Sequence, residues 1–168
     1  MAEAMGNPKP LRLYVEGEEA MVALGGAIGR IVRHGVIFLA GDLGAGKTTL
    51  CRGILRARGH HGAVKSPTFT LVEPYDLDDG RLFHFDLYRL GDPEELEYMG
   101  IRDYLEPDNL CLIEWPEKGE GLLPDPDWRI AILVEGRGRG VVIMPQTDYG
   151  QSALARLRAE ADPGGPLC

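Results

Sequence analysis

Residues 41–48 read Gly41-Asp42-Leu43-Gly44-Ala45-Gly46-Lys47-Thr48, with a lysine and a hydroxyl side by side at the end of a glycine-rich run. Glycines let a short loop fold back so tightly that its amide N–H groups converge, and converging amides bind an anion. A lysine at the edge of such a loop adds a point charge that can reach the β- and γ-phosphates of a nucleotide, and the next hydroxyl can ligate Mg²⁺. The segment fits G-x-x-x-x-G-K-[ST] in full, a pattern that requires a buried strand before it and a helix after it. Asp42, Leu43, Gly44, Ala45 and Gly46 are therefore candidate backbone contacts to ATP, Lys47 the phosphate lysine and Thr48 a Mg²⁺ ligand. Thr49 is placed to bond an α-phosphate oxygen.

A phosphate loop of this kind works with an acid at the end of a neighbouring buried strand. Two acids qualify. Glu114 closes the apolar run Leu110-Cys111-Leu112-Ile113 and so could hold the metal. Asp86 lies in Phe83-His84-Phe85-Asp86-Leu87-Tyr88, where it could position or deprotonate a water, or be turned to solvent by strand alternation. Downstream of the loop, Lys65-Ser66-Pro67-Thr68-Phe69-Thr70 is stiffened by its proline. Thr68 there could offer a hydroxyl to Mg²⁺ or the γ-phosphate, or simply open a strand.

The flanking elements are those the loop needs. Residues 36–40, Val-Ile-Phe-Leu-Ala, form a continuous apolar run, as in a strand buried on both faces. Residues 47–58 read as the following helix, closed by Gly59, and residues 17–34 as an earlier amphipathic helix carrying Met21, Leu24, Ile28, Ile31 and Val32. Residues 68–75 and 81–88 predict an antiparallel hairpin around Asp79-Gly80. Asp92-Pro93-Glu94-Glu95 starts a short helix, with Asp92 as its N-cap. Residues 128–135 and 141–144 predict a second hairpin turning at 136–140, and residues 151–160 a short last helix before a frayed end. The order implies a three-layer α/β P-loop NTPase domain with a mixed sheet, parallel around the loop and extended by antiparallel hairpins. The expected division is an N-terminal tail at 1–10, the ATPase domain at 11–148, and a C-terminal helix and tail at 149–168.

Bulk properties narrow the function classes. With 168 residues, 44% of them hydrophobic and 26% charged, the chain suits one globular domain. The first ten residues carry no apolar stretch of a signal sequence, and no apolar run approaches bilayer length, so a cytoplasmic location is expected. Three scattered cysteines argue against a disulfide framework or a zinc site, and Cys51 and Cys111 read as small buried hydrophobes. A net charge of −8 weighs against direct nucleic-acid binding. Arg52 and Arg56, one helical turn apart, read either as a solvated helix face or as a contact for a partner or tRNA. The two asparagines, Asn7 and Asn109, supply no guanine-reading N-K-x-D, so a GTPase is disfavoured. A small-molecule kinase remains as the alternative to an ATPase, although no arginine-bearing lid is evident.

Five blocks go further: residues 41–49, 65–75, 84–90, 92–104 and 113–117, the last reading Ile-Glu-Trp-Pro-Glu. In this order they closely resemble the TsaE (YjeE) family, bacterial ATPases required for the threonylcarbamoyladenosine modification of tRNA. The resemblance implies that Thr48 and Glu114 ligate Mg²⁺, that Lys47 is the phosphate lysine and that Asp86 is a catalytically important acid. It also implies that Trp115 reports on the nucleotide and that Glu18 and Arg139 lie near it; two places after Glu18, Ala20 departs from the usual polar residue. It further implies a partner complex of the TsaB–TsaD type, reset by ATP hydrolysis, with tRNA contacted only indirectly.

Overall fold

The computed structural model describes residues 9–42, 44–65, 67 and 70–161. Leu43, Ser66, Thr68 and Phe69, and with them the candidate roles of Leu43 and Thr68, lie outside the described residues. In chain order the elements are β1 (Leu11–Val15), α1 (Glu18–Ile31), β2 (Gly35–Ala40), α2 (Lys47–Ala57), β3 (Val72–Leu77), β4 (Gly80–Asp86), α3 (Glu94–Tyr98), α4 (Ile101–Tyr104) and β5 (Leu110–Glu114). A 3₁₀ turn (Pro116–Gly119), β6 (Trp128–Glu135), β7 (Gly138–Pro145) and α5 (Asp148–Ala161) complete the fold.

The uninterrupted apolar runs of β2 and β5 occupy the middle of a seven-stranded sheet ordered β1-β7-β6-β2-β5-β4-β3. The β6, β2, β5 and β4 strands pair in parallel, while β7, β1 and β3 add antiparallel edges. Alternation divides the core. Ile37, Leu39, Leu110, Leu112, Ile130 and Ile132 face α1, α2 and α5, whereas Phe38, Phe83, Phe85, Cys111 and Ile113 face Leu96 of α3 and Ile101 of α4. The expected three-layer α/β arrangement with a mixed sheet is what the chain forms. Among the described residues no helix is long and apolar enough to cross a membrane.

Local chemistry explains where the bounds fall. Asp92 caps α3 by accepting the Glu94 N–H at 2.9 Å, and Glu95 returns a bond to the Asp92 N–H at 3.0 Å, a reciprocal capping box. The first hairpin forms, but its leading strand starts at Val72: Leu71 turns through a left-handed φ of 70° and its amide bonds back to the Pro67 carbonyl. The second hairpin turns on two residues, Gly136 and Arg137, rather than on 136–140, because Glu135 pairs directly with Gly138. Gly138 and Gly140 are strand residues whose missing side chains admit the Tyr14 ring and the Glu135 carboxylate. The last helix starts at Asp148, earlier than 151, because the Thr147 hydroxyl accepts the Gly150 N–H at 2.9 Å. Its Leu154 and Leu157 join the same core cluster as α1 and α2.

Two features hold the helices in place. Arg58, its side chain fully buried at the end of α2, reaches Asp79 in the β3–β4 turn at 3.0 Å, and Arg33 pairs with the same carboxylate. Partial desolvation would raise the Asp79 pKa, yet hydrogen bonds from Arg33 and Arg58 hold it below its ordinary value. More constraining, α1 and α2 cross backbone to backbone: a Cβ on Gly53 would sit 2.2 Å from the Val22 carbonyl, and one on Gly25 2.3 Å from the Leu50 carbonyl. Gly53→Ala is therefore expected to lower the unfolding free energy by about 1–3 kcal/mol in urea titrations, through overpacking. Asp79→Asn should also destabilise at neutral pH. Because the native pKa is depressed, the deficit should shrink as pH falls below about 4, measured as thermal midpoints against pH.

Candidate active site

The β2 strand delivers the chain into the glycine loop at Gly41, and Gly44 (φ 82°) and Gly46 (φ 118°) take left-handed turns before α2 begins. The Asp42 carbonyl accepts the Ala45 N–H at 3.0 Å, closing the turn, while the Asp42 side chain is exposed. A Cβ on Gly44 would meet nothing within 4 Å, so the loop mouth is open there. The amides of the first turn of α2, which have no preceding helical carbonyls, point at that mouth with the positive end of the helix. Thr48 and Thr49 stand half-buried in the same turn.

Lys47 is only 5% exposed. Its Nζ donates to the Gly41 carbonyl at 2.6 Å, lies 3.8 Å from Glu114 Oε1, and sits 4.7 Å from the centroid of the Trp115 ring. The two candidate acids are brought together: Asp86 and Glu114 are register partners at the ends of adjacent parallel strands, on the face covered by α2. Asp86 Oδ1 accepts the Tyr88 N–H at 3.0 Å. Trp115 follows Glu114 in a left-handed conformation (φ 56°), rare for a large side chain, with its ring 4.9 Å from that of Tyr88.

Sequence reasoning missed one member of the site. His84, fully buried two residues before Asp86 and on the same face, places Nε2 2.6 Å from Glu114 Oε2 and 3.7 Å from Cys51 Sγ. Burial opposes a charge on His84, but the Cys51 sulfur and the Glu114 carboxylate outweigh it, and its pKa is raised to about 10. The strand period of two was the available signal. The ligating atoms of Cys51, His84 and Glu114 lie within 4.8 Å of one another. Even so, His84 Nδ1 has no partner among the described residues, whereas a metal-bound histidine normally has its second nitrogen held. The short His84–Glu114 contact is a hydrogen bond.

On the other flank of the loop, Gly17, Glu18, Met21, Thr49 and Arg139 line a cleft of about 300 Å³. Arg139 Nε donates to the Ala45 carbonyl at 2.9 Å, pinning the loop to β7. Glu18 is paired with Arg52, which is thereby engaged within the chain, while Arg56 is exposed. The donor set suits a metal-bound polyphosphate: an ammonium, convergent amides, a hydroxyl and two carboxylates, with hard oxygen ligands of the kind Mg²⁺ takes.

Comparison with known proteins shows the family. The family model for threonylcarbamoyl adenosine biosynthesis protein TsaE matches residues 15–141. The chain belongs to the TsaE family. That family is involved in tRNA threonylcarbamoyladenosine biosynthesis. The tRNA threonylcarbamoyladenosine biosynthesis protein TsaE of Haemophilus influenzae is 46% identical over 151 residues, covering 86% of this chain and 96% of its own. The Bacillus subtilis protein of the same name is 40% identical over 103 residues, covering 61% of this chain and 63% of its own. The crystal structure of Bacillus subtilis YdiB superposes with a TM-score of 0.78 at 26% identity, covering 92% of this chain and 97% of that one.

The sequence candidates of this TsaE family chain thus fall into two groups around the loop. Lys47, Asp86, Glu114 and Trp115 cluster at the strand ends, and Glu18, Thr49 and Arg139 line the cleft. Of the two tryptophans, Trp128 is 1% exposed and bonded to the Gly150 carbonyl at 2.7 Å, far from Lys47 along the chain and at the start of β6. If the loop takes a nucleotide, adding ATP should change tryptophan emission through Trp115, whose ring neighbour Lys47 would move to meet a phosphate. The change should vanish in Trp115→Phe, read by steady-state fluorescence.

Proposed function

We propose that this chain is a Mg²⁺-dependent ATPase that supports threonylcarbamoyladenosine modification of tRNA by binding a TsaB–TsaD type complex and resetting it through ATP hydrolysis. The observation that carries the reading is Lys47, held between the Gly41 carbonyl and Glu114 at the mouth of a full glycine loop. In this reading Lys47 leaves the Gly41 carbonyl and places its ammonium on the β- and γ-phosphates. The amides of Gly44 and Gly46 and of the first turn of α2 would hold the remaining phosphate oxygens. Thr48 and Glu114 would hold Mg²⁺, which when bound would supply neutralisation of phosphate charge. Asp86, its carboxylate fixed by the Tyr88 amide, orients the attacking water. Glu18, Thr49 and Arg139 receive the rest of the nucleotide in the cleft between α1 and β7.

Two further observations support an ATPase acting through partners. Asn109 donates to the Tyr104 carbonyl at the start of β5, the opposite end of the strand from Glu114, so it is unavailable to read guanine beside the loop. A net charge of −8 favours a protein partner over bare tRNA.

Lys47→Ala should reduce ATP turnover by at least about a hundredfold while leaving the circular dichroism spectrum unchanged. Glu114→Ala should flatten the dependence of turnover on Mg²⁺; a normal titration and a normal rate would remove Glu114 from the metal site. With γ-labelled ATP the label should appear as inorganic phosphate, whereas transfer to a metabolite would favour a kinase. Adding the purified TsaB–TsaD type complex should accelerate turnover, and equal rates with and without it would sink the partner-activated reading.

A further inference from the structure

We propose that His84 is a positioning residue that fixes the carboxylate of Glu114 for metal binding, an inference that rests on the reading of Glu114 as a Mg²⁺ ligand. His84 pairs in register with Leu112 on β5, which makes Glu114 its diagonal neighbour on the same face of the sheet. A long side chain reaches that diagonal, and His84 Nε2 does so at 2.6 Å.

A histidine at this position is costly to the fold. The ring is wholly buried, and its Nδ1 has no hydrogen-bond partner among the described residues. An unpaired buried polar atom forfeits the hydrogen bond it had with water, a cost that a leucine would avoid, as the neighbouring Leu82 and Leu112 do. The ring is retained at that cost where its one engaged nitrogen holds an acid of the candidate site. The hold has a directional effect. With Oε2 bonded to His84, Oε1 is the oxygen left facing Lys47 and the loop, 3.8 Å from Nζ. Asp86 stands beside Glu114 across the strand pair, and neighbouring carboxylates repel one another. The bond from His84 restrains Glu114 against that repulsion. It persists when Lys47 moves to a phosphate, because a carboxylate partner selects the Nε2–H tautomer of a neutral ring and a charged ring carries that hydrogen as well. Cys51 Sγ, 3.7 Å from the same nitrogen, closes the α2 side of the ring.

The test is the Mg²⁺ affinity of the full chain holding nucleotide, measured by calorimetric titration of Mg²⁺, with thermal midpoints confirming that each variant is folded. His84→Gln puts an amide N–H at nearly the reach of Nε2 and should keep the affinity within about twofold, whereas His84→Asn is too short. His84→Asn should weaken Mg²⁺ by about tenfold, the scale of losing a group that orients a metal ligand, while nucleotide affinity in EDTA stays unchanged. His84→Leu should match His84→Asn where it folds, and the Asn–Gln comparison decides where it does not. Glu114→Gln separates the two readings. If it leaves the Mg²⁺ affinity unchanged, the metal assignment falls and this inference with it. If it weakens Mg²⁺ and His84→Asn does not, the positioning role alone is overturned.

Discussion

Two carboxylates, Asp86 and Glu114, end adjacent parallel strands in register, each about one-twentieth exposed. Strands in a sheet lie about 4.8 Å apart, and two like charges at that spacing repel by about 3 kcal/mol at an effective dielectric constant of 20. Such a pair persists only where cations or donors answer it. Lys47 answers from above, His84 from below, and the Tyr88 amide holds the outer acid. Much of the architecture serves this arrangement. Parallel pairing of β4, β5 and β2 brings both acids to the edge where β2 releases the glycine loop, and α2 roofs the face on which they lie.

The charge balance of the site is internally satisfied. Lys47 is bonded to its own loop and shares Glu114 with His84, and Glu18 is paired with Arg52. In the proposed reading, a phosphate would therefore compete with intramolecular partners for the lysine. Trp115 is part of the same balance: its left-handed backbone folds the indole back over the ammonium, where the aromatic face favours the cation.

Legibility in the sequence followed the distance over which each feature is determined. Strand, glycine loop and helix are contiguous at 35–57, so local propensity and motif read them correctly. Glu114 was visible because an apolar strand ending in an acid is a local pattern, and the three-layer fold followed from the order of such patterns. His84 was not, because its meaning depends on the β4–β5 register, which composition does not specify. Gly138 and Gly140 looked like turn residues for a related reason: a glycine that admits a neighbour's ring is indistinguishable in sequence from one that turns the chain. The left-handed Trp115 had no sequence signal, since nothing but packing selects that conformation for a tryptophan.

The glycine crossing of α1 and α2 has a mechanical consequence. Most helix pairs are separated by side chains whose rotamers absorb small displacements. Here Gly25 and Gly53 bring the two backbones into contact, leaving no deformable layer between them. A shift of the phosphate-loop helix by a fraction of an ångström is then carried undamped into α1, and from its first turn to the wall of the cleft at Gly17 and Glu18. The two flanks of the site, distant in sequence, behave as one stiff lever with its fulcrum at a pair of hydrogen atoms.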